Sequence, residues 1–331
     1  MKVGKKQLKK PGGGLKMKNK VGEYSFKGVD NLLVYGSRFE VEEPKGIILA
    51  LHGMAEHRKR YGELAEKLNE AGYSFYIHDH RGHGDTALKN NLTLGHFADN
   101  NGWNKVIRDV EKHRELILNR NKKENNDIKD LPIFLFGHSM GSFVGRDYIM
   151  RNPEDFSGAI FSGTGYVKNT ELFLLKFFIG LEKLIRGKKK KSTIVENIVF
   201  SSNNKEFEPT QTPHDWLTRN SDVAHKYYND ERCGFSCTVQ FYNDFYQGMK
   251  KIADKENYKN LPENYPLIFL SGDKDPVGGE DIVKVAYEYK DVGLKDVEYK
   301  LYENGRHEMI NELNKEEFFK DVKEWLKKHT S

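Results

Sequence analysis

The chain has 331 residues, which is enough for one large α/β domain with an insertion or for two smaller domains. Its net charge is +5, but residues 1–20 hold eight lysines and no acidic residue, so residues 21–331 carry a net charge of −3. Nucleic-acid binding requires a basic face on the folded part of a protein. We therefore expect no nucleic-acid partner, and we interpret residues 1–22 as a disordered basic tail.

The sequence contains no sign of membrane insertion or secretion. It lacks the roughly 18 uninterrupted apolar residues of a membrane-spanning helix and the apolar core of a signal peptide. Two cysteines, Cys233 and Cys237, are too few for a disulfide framework and lack the spacing of a zinc site. We expect a soluble, cytoplasmic protein with ordinary thiols.

Short apolar runs alternate with helical stretches along most of the chain. Residues 24–39 follow the pattern of a β-hairpin. Further strands are predicted at 47–51, 73–77, 133–136, 157–162, 266–270 and 297–302, and helices at 61–71, 103–120, 279–289 and 316–328. This alternation predicts a mostly parallel central sheet with flanking helices, and ligands bind such sheets at the carboxyl ends of the strands.

The alternation stops between residues 163 and 262. We interpret this segment as an inserted, mainly helical cap, with residues 23–162 and 263–331 forming the α/β core. Its apolar stretch, 172–185, is followed by the basic run 187–191. That stretch is too short to span a bilayer, and it could either line an acyl tunnel or contact a membrane surface transiently.

The sequence Gly137-His138-Ser139-Met140-Gly141 has the G-x-S-x-G pattern of a nucleophile elbow. An apolar run precedes it and a helical sequence follows, so the turn between them must be tight. The glycines suit the strained turn that projects the Ser139 hydroxyl above the sheet. Ser139 is therefore the candidate nucleophile.

A serine nucleophile needs a base to take its proton and a third group to orient that base. His307 follows the last predicted strand, and Asp273 and Asp275 follow the strand before it. The chain order serine, aspartate, histidine is that of the α/β-hydrolases. The residues alone leave Asp273 and Asp275 open as the acid.

These motifs resemble the α/β-hydrolase family, and within it the branch of monoacylglycerol lipases and lysophospholipases. The resemblance depends on residues 52–61 (HGMAEHRKRY), 137–141 (GHSMG), 272–277 (GDKDPV) and 305–308 (GRHE). It implies the α/β-hydrolase fold, Asp275 as the acid and no cofactor. It also implies that the backbone N–H of Met54 forms the oxyanion hole, together with that of Met140, the residue after the nucleophile.

Other polar residues near these motifs have more than one interpretation. Glu56 and Arg60 could bind the hydroxylated head of an ester substrate, or they could pair with each other. His138 is interpreted as a packing residue, and the simplest interpretation of His57 is a hydrogen-bonded histidine in the loop. The spacing His78-x-His80-x-x-His83 is that of a dinuclear metal motif, but Gly82 replaces the aspartate expected there, so we predict no metal site.

The sequence favours a serine hydrolase that cleaves esters of single-chain lipids through an acyl-enzyme. A general carboxylesterase or a serine peptidase on the same fold is the first alternative. A peptidase would need carboxylates for a substrate ammonium, for which Glu206, Glu208 and Asp215 are candidates. A non-catalytic receptor is the third possibility, and an intact serine, aspartate and histidine set argues against it.

Overall fold

The computed structural model describes residues 20–123 and 131–330 and contains one eight-stranded sheet in the order β1-β2-β4-β3-β5-β6-β7-β8. β1 and β2 form the predicted antiparallel hairpin, β2 pairs with β4 antiparallel, and all other neighbours are parallel. The strands are β1 (Lys20–Lys27), β2 (Leu33–Glu40), β3 (Gly46–Leu51), β4 (Tyr73–His78), β5 (Ile133–His138), β6 (Gly158–Ser162), β7 (Leu267–Gly272) and β8 (Val297–Tyr302). The predicted mostly parallel sheet is confirmed.

Ten α-helices occur within these two described ranges. Together with the sheet they form an α/β-hydrolase fold, as predicted. They are α1 (Gly62–Glu70), α2 (Gly84–Leu88), α3 (Gly102–Lys123), α4 (Met140–Arg151), α5 (Asn169–Arg186), α6 (Thr193–Phe200), α7 (Ser221–Asn229), α8 (Val239–Ile252), α9 (Asp281–Asp291) and α10 (Lys315–His329).

The five strands from β3 to β7 are buried along their whole length, because helices cover both faces of the sheet. One face packs against α3, α4, α8 and α9, and the other packs against α1 and α10. Parallel strands buried on both sides need continuous apolar side chains. This requirement explains why runs such as 47–51 show no alternation with polar residues.

Four helices, α5 to α8, lie between β6 and β7. α5 and α6 line a cavity above the carboxyl ends of the strands. α8 packs against α5 and also against α3 and α4. The segment therefore includes one helix that also covers the sheet. None of the helices in the described part of the chain combines the length and apolar character needed to cross a membrane.

The N-terminal boundary of the sheet differs from the prediction. β1 begins at Lys20, so residues 20–22, which we had assigned to the tail, pair with residues 38–40 of β2. The reason is that β1 is an edge strand with largely exposed side chains, so its first residues lack an apolar signal. Residues 1–19 of the predicted tail lie outside the described residues.

Candidate active site

The turn between β5 and α4 has the geometry of a nucleophile elbow. Ser139 is the N-cap residue of α4, and its φ of 51° lies in the left-handed region that is strained for a non-glycine residue. Its amide donates a 2.9 Å hydrogen bond to the Ser162 carbonyl of the neighbouring strand. A Cβ at Gly141 would overlap the Leu51 carbonyl, and one at Gly137 would lie 2.7 Å from the Gly141 carbonyl. Both glycines are therefore sterically required.

His307 and Asp275 meet at the carboxyl ends of β7 and β8. His307 Nδ1 donates to Asp275 Oδ1 at 2.9 Å, and both side chains are buried. The carboxylate is fixed by the Ser271 hydroxyl at 2.7 Å and by the Val277 amide at 2.8 Å. Because His307 contacts Asp275 and not Asp273, the geometry favours the acid that the family resemblance implied.

His307 and Asp275 shift each other's pKa toward the charged form. Burial alone would lower the pKa of His307, but the negative charge and the hydrogen bond of Asp275 outweigh it and raise that pKa above its ordinary value. Burial would raise the pKa of Asp275, but the contacts with His307, Ser271 and Val277 hold it below its ordinary value. Asp275 is therefore an anion at neutral pH. Since Nδ1–H faces Asp275, His307 Nε2 is left to accept a proton.

The loop after β3 lies beside the elbow. A Cβ at Gly53 would lie 3.2 Å from Ser139 Cβ, so the backbone just before Met54 lies close to the nucleophile. His52 fixes this loop, because its Nδ1 donates to the Gly53 carbonyl at 2.8 Å and its Nε2 accepts from the His80 amide at 3.0 Å. Neither the Met54 nor the Met140 amide donates to a group in the described residues, so both N–H groups are available to an oxyanion.

A cavity of about 750 Å³ extends from these residues beneath the helices between β6 and β7. Ser139, Met54, Met140 and His307 are among its lining residues. The walls are mainly apolar and come from α5, α6, α8 and the elbow helix: Leu172, Leu175, Val199, Phe200, Phe143, Phe245 and Met249. A mainly apolar cavity of this size that also presents polar groups is typical of a small-molecule binding site.

Residues 42–314 match a family model described as serine aminopeptidase, S33. The chain belongs to this family of α/β-hydrolases. The monoacylglycerol lipase of Mycolicibacterium smegmatis is 26% identical over 311 residues, which cover 93% of this chain and 97% of that protein. The monoglyceride lipase of Saccharomyces cerevisiae is 26% identical over 317 residues, covering 87% of each chain.

Solved structures give the same result for the fold. A thermostable carboxyl esterase from Bacillus coagulans, in complex with glycerol, superposes with a TM-score of 0.82 at 27% identity and covers 94% of this chain and 99% of that one. A soluble variant of the Saccharomyces cerevisiae monoglyceride lipase with a substrate analogue has a TM-score of 0.71 at 22% identity, covering 98% and 100%. The α/β-hydrolase resemblance predicted from the sequence is confirmed.

In this α/β-hydrolase, Glu56 and Arg60 belong to a buried charged cluster with Glu308. Arg60 donates to both oxygens of Glu308 at 2.6 Å and to Glu56 Oε2 at 2.5 Å. Glu56 Oε1 accepts from the Gly53 amide at 2.5 Å and from the Tyr61 hydroxyl at 2.8 Å. The cluster therefore ties the loop that carries Met54 to the loop that carries His307.

This arrangement changes the interpretation of Glu56 and Arg60 as contacts for a substrate head. Glu56 does line the cavity, but protein donors occupy both of its oxygens, and Arg60 is not among the cavity-lining residues described. Pairing, the alternative left open by the sequence, is what the structure contains. The role of Glu308 was missed, although its position directly after His307 in the 305–308 motif was a signal.

Most of the buried histidines pack against each other and against aromatic rings. The His138 ring lies 4.8 Å from that of His307, and the His52 and His80 rings lie 4.4 Å apart. His78 and His113 share a 2.9 Å hydrogen bond between their Nδ1 atoms. Burial lowers the pKa of His138 to about 4 and that of His113 to about 3, so these rings are neutral at pH 7.

Proposed function

We propose that this chain is a serine hydrolase that cleaves carboxylic esters of single-chain lipids, monoacylglycerols or lysophospholipids, through an acyl-enzyme. One observation carries the proposal: Ser139 at its elbow and His307, oriented by Asp275, line the same mainly apolar cavity. The free thiols of Cys233 and Cys237 fit a reducing compartment such as the cytoplasm.

The reaction follows from the roles that this geometry supports. His307 Nε2 takes the hydroxyl proton of Ser139 as Oγ attacks the ester carbonyl, and Asp275 stabilises the imidazolium. The backbone N–H groups of Met54 and Met140 bind the oxyanion of the tetrahedral intermediate. As the intermediate collapses, the C–O bond of the alcohol breaks and His307 returns the proton to that oxygen. Water, deprotonated by His307, then releases the fatty acid from Ser139.

The choice of a single-chain lipid is supported by the cavity and by the names of similar proteins. The apolar walls suit one acyl chain, and burying each methylene contributes up to about 0.8 kcal/mol, or roughly four-fold in binding. Two similar proteins are named monoacylglycerol or monoglyceride lipases, and a similar esterase was solved with glycerol. A glycerol ester with one acyl chain fits both the apolar walls of the cavity and the names of these similar proteins.

A peptidase is the second candidate, because the matching family model carries an aminopeptidase description. The carboxylates proposed for a substrate ammonium do not support it. Asp215 accepts from the Gln211 and Thr212 amides at 2.7 and 3.1 Å, so it stabilises its own turn. Neither Glu206, Glu208 nor Asp215 is among the described residues that line the cavity.

An ester panel tests the substrate class. We expect medium-chain monoacylglycerols or p-nitrophenyl esters to exceed the matching acetates in kcat/KM by at least about ten-fold, because the acyl chain fills the apolar walls. Triacylglycerols should be poor substrates, since the cavity suits one chain. A flat chain-length dependence, or faster cleavage of an aminoacyl amide, would instead support the carboxylesterase or peptidase alternatives.

Covalent labelling tests the nucleophile separately. A fluorophosphonate probe should label the wild type at Ser139 and should leave Ser139→Ala unlabelled, while the variant keeps the wild-type melting temperature. Ester hydrolysis by the variant should fall almost to the level left by binding and oxyanion stabilisation alone. A stable Ser139→Ala variant with wild-type turnover would contradict the mechanism, whereas a wild type that is neither labelled nor active would support the receptor alternative.

We also propose that α5 brings the cavity to a lipid surface through transient contact. Phe173, Phe177, Leu184 and Ile185 are 72%, 60%, 86% and 69% exposed, although soluble proteins rarely expose such a patch. Exposed basic residues follow in segment 186–190, where they suit anionic headgroups. Other residues of α5, Leu172 and Leu175, line the cavity, so a docked helix would lie between bilayer and active site.

Vesicle sedimentation tests this contact. We expect the wild type to bind vesicles of phosphatidylcholine with phosphatidylglycerol, and the double variant Leu184→Ser with Ile185→Ser to lose most of that binding. Both proteins should hydrolyse a dissolved short-chain p-nitrophenyl ester equally well, because neither residue is among the described cavity-lining set. Unchanged vesicle binding by the variant would contradict the docking proposal without affecting the catalytic one.

A further inference from the structure

Three potential metal ligands meet where the loop after β3 contacts the connection between α7 and α8. They are His57 from the loop and Asp230 and Cys233 from the connection. One ligand atom of each lies within 4.8 Å of the others, and His57 Nε2 is 3.0 Å from Asp230 Oδ2. The Cys233 amide donates to the Asp230 carbonyl at 2.8 Å, and this turn fixes the two residues relative to each other. The proposed reaction uses none of the three.

We propose that His57, Asp230 and Cys233 form a binding site for one divalent transition metal of the Zn²⁺ or Co²⁺ type. An imidazole nitrogen, a carboxylate oxygen and a thiolate sulfur are the three ligand types found in tetrahedral zinc sites. The thiolate excludes Mg²⁺ and Ca²⁺, which prefer oxygen ligands. Asp230 is partly exposed while His57 and Cys233 are buried, so a cation would reach the site from the side of Asp230 and keep a water ligand there.

The surrounding charges accommodate such a cation. Two guanidinium groups, of Arg60 and Arg232, and three carboxylates, of Glu56, Glu308 and Asp230, leave the region with one net negative charge. A divalent cation together with a newly formed Cys233 thiolate would bring that charge to zero. Arg232 Nε donates to Asp230 Oδ1 at 2.8 Å, and this contact can remain when the metal binds. Oδ2 would exchange its hydrogen bonds from Arg232 Nη2 at 2.6 Å and from His57 Nε2 at 3.0 Å for the bond to the metal.

Metal binding requires a defined exchange of protons. His57 Nδ1 now accepts from the Lys59 amide at 3.3 Å, so the ring proton is on Nε2 and faces Asp230. On binding, Cys233 would release its proton to solvent, and the ring proton would move from Nε2 to Nδ1, which gives up the long hydrogen bond from Lys59. Because the Cys233 thiol must lose its proton to bind the metal, the affinity should increase with pH.

A cation at this position would connect two parts of the active site. Close to its ligands along the chain, the Ala55 carbonyl accepts from the Gly234 amide at 2.9 Å and from the Tyr227 hydroxyl at 2.8 Å. Ala55 follows Met54, whose amide is the proposed oxyanion donor. The metal would therefore add coordinate bonds to a junction that hydrogen bonds already form, and it would restrain the connection 230–238 against the oxyanion loop.

The two cysteines of the chain provide a matched pair of variants for the test. Cys237 is buried like Cys233, but within the described residues it is not part of a metal-capable group. The metal-free full chain is titrated with Co²⁺ while the thiolate-to-cobalt charge-transfer absorption is recorded. We expect this band to saturate at one equivalent in the wild type and in Cys237→Ser, to be absent in Cys233→Ser, and to disappear when Zn²⁺ is added.

A second variant changes a different metal ligand and tests whether Asp230 contributes to the cobalt affinity. Asp230→Asn keeps the thiolate, so it should retain the band at an affinity lower by about ten-fold or more. Absence of the band in the wild type, its survival in Cys233→Ser, or its loss in a folded Cys237→Ser would overturn the proposal, as would unchanged affinity in Asp230→Asn. The absorption does not depend on catalysis, so its outcome is independent of the proposed ester hydrolysis.

Discussion

Replacing Arg60 by methionine should destabilise the protein strongly. Arg60 is the shared partner of Glu56 and Glu308, and its five-donor guanidinium uses three hydrogen bonds of 2.5 to 2.6 Å to hold them. Methionine preserves much of the side-chain volume but leaves two buried carboxylates without a cation. Breaking a buried ion pair by removing one partner typically costs about 3–5 kcal/mol of unfolding free energy.

The pH dependence of that loss identifies its cause. Burial opposes ionisation of Glu308, but Arg60 outweighs burial and holds its pKa below the ordinary value. Without Arg60, burial dominates and the folded-state pKa rises above the unfolded one. Stability is then lost as pH rises through the raised pKa. The deficit of the variant relative to the wild type should therefore be largest at pH 7–8 and should shrink toward pH 5, where Glu308 takes up a proton.

Urea unfolding of both proteins at pH 5, 6, 7 and 8 measures this difference. Lys67→Met is the matched control, because Lys67 pairs with the exposed Glu316 at 3.2 Å and should change the unfolding free energy far less. A loss for Arg60→Met no larger than that of the control would refute the reasoning. So would a loss that stays constant with pH, since side-chain packing alone would then explain it.

Three further predictions concern titration and the acid. Asp275→Asn should lower kcat by about 10⁴-fold by leaving His307 in the wrong tautomer, whereas Asp273→Asn should cost far less; reversed losses would make Asp273 the acid. Because the pKa of His307 is raised, lowering the pH should begin to reduce kcat/KM of the wild type already above pH 6.5, as the imidazole is protonated. Any residual activity of Asp275→Asn should persist to lower pH. A wild-type acid limb below pH 6.5 would contradict this assignment. Finally, burial lowers the pKa of His113 to about 3, so below pH 6.5 the unfolded state binds a proton that the folded state excludes. As pH falls below 6.5, the unfolding free energy should therefore decrease by about 1.4 kcal/mol per pH unit because of this residue. Urea unfolding should show a steeper pH dependence for the wild type than for His113→Phe, and equal slopes would refute the prediction.

Features encoded within a few residues could be predicted from the sequence. The elbow is such a case, because the Gly137 and Gly141 positions and the apolar run before them specify a tight strand-to-helix turn. The sheet was predictable because each buried parallel strand is a continuous apolar run. The acid was less accessible, since Asp273 and Asp275 follow the same strand, and only the family resemblance and then the hydrogen bond from His307 distinguish them.

Contacts between distant segments could not be predicted. Arg60 and Glu308 are 248 residues apart, and nothing in either local sequence identifies the other as its partner. The same holds for His57 and Asp230, which are 173 residues apart and whose positions are set by the packing of the α7–α8 connection. The first residues of β1 were missed for a different reason: an exposed edge strand needs no apolar pattern.

The position of α8 limits how the substrate range of this scaffold can be altered. α8 buries Phe241, Phe245 and Ile252 in the same apolar core as α3 and α4, and it leads back to β7 as the crossover helix of a βαβ unit. A lid exchange between related hydrolases should therefore join the chains after Ser162 and before Val239. A graft that also replaced α8 would remove cover from one face of the sheet, and its failure would then reflect lost folding rather than an incompatible lid.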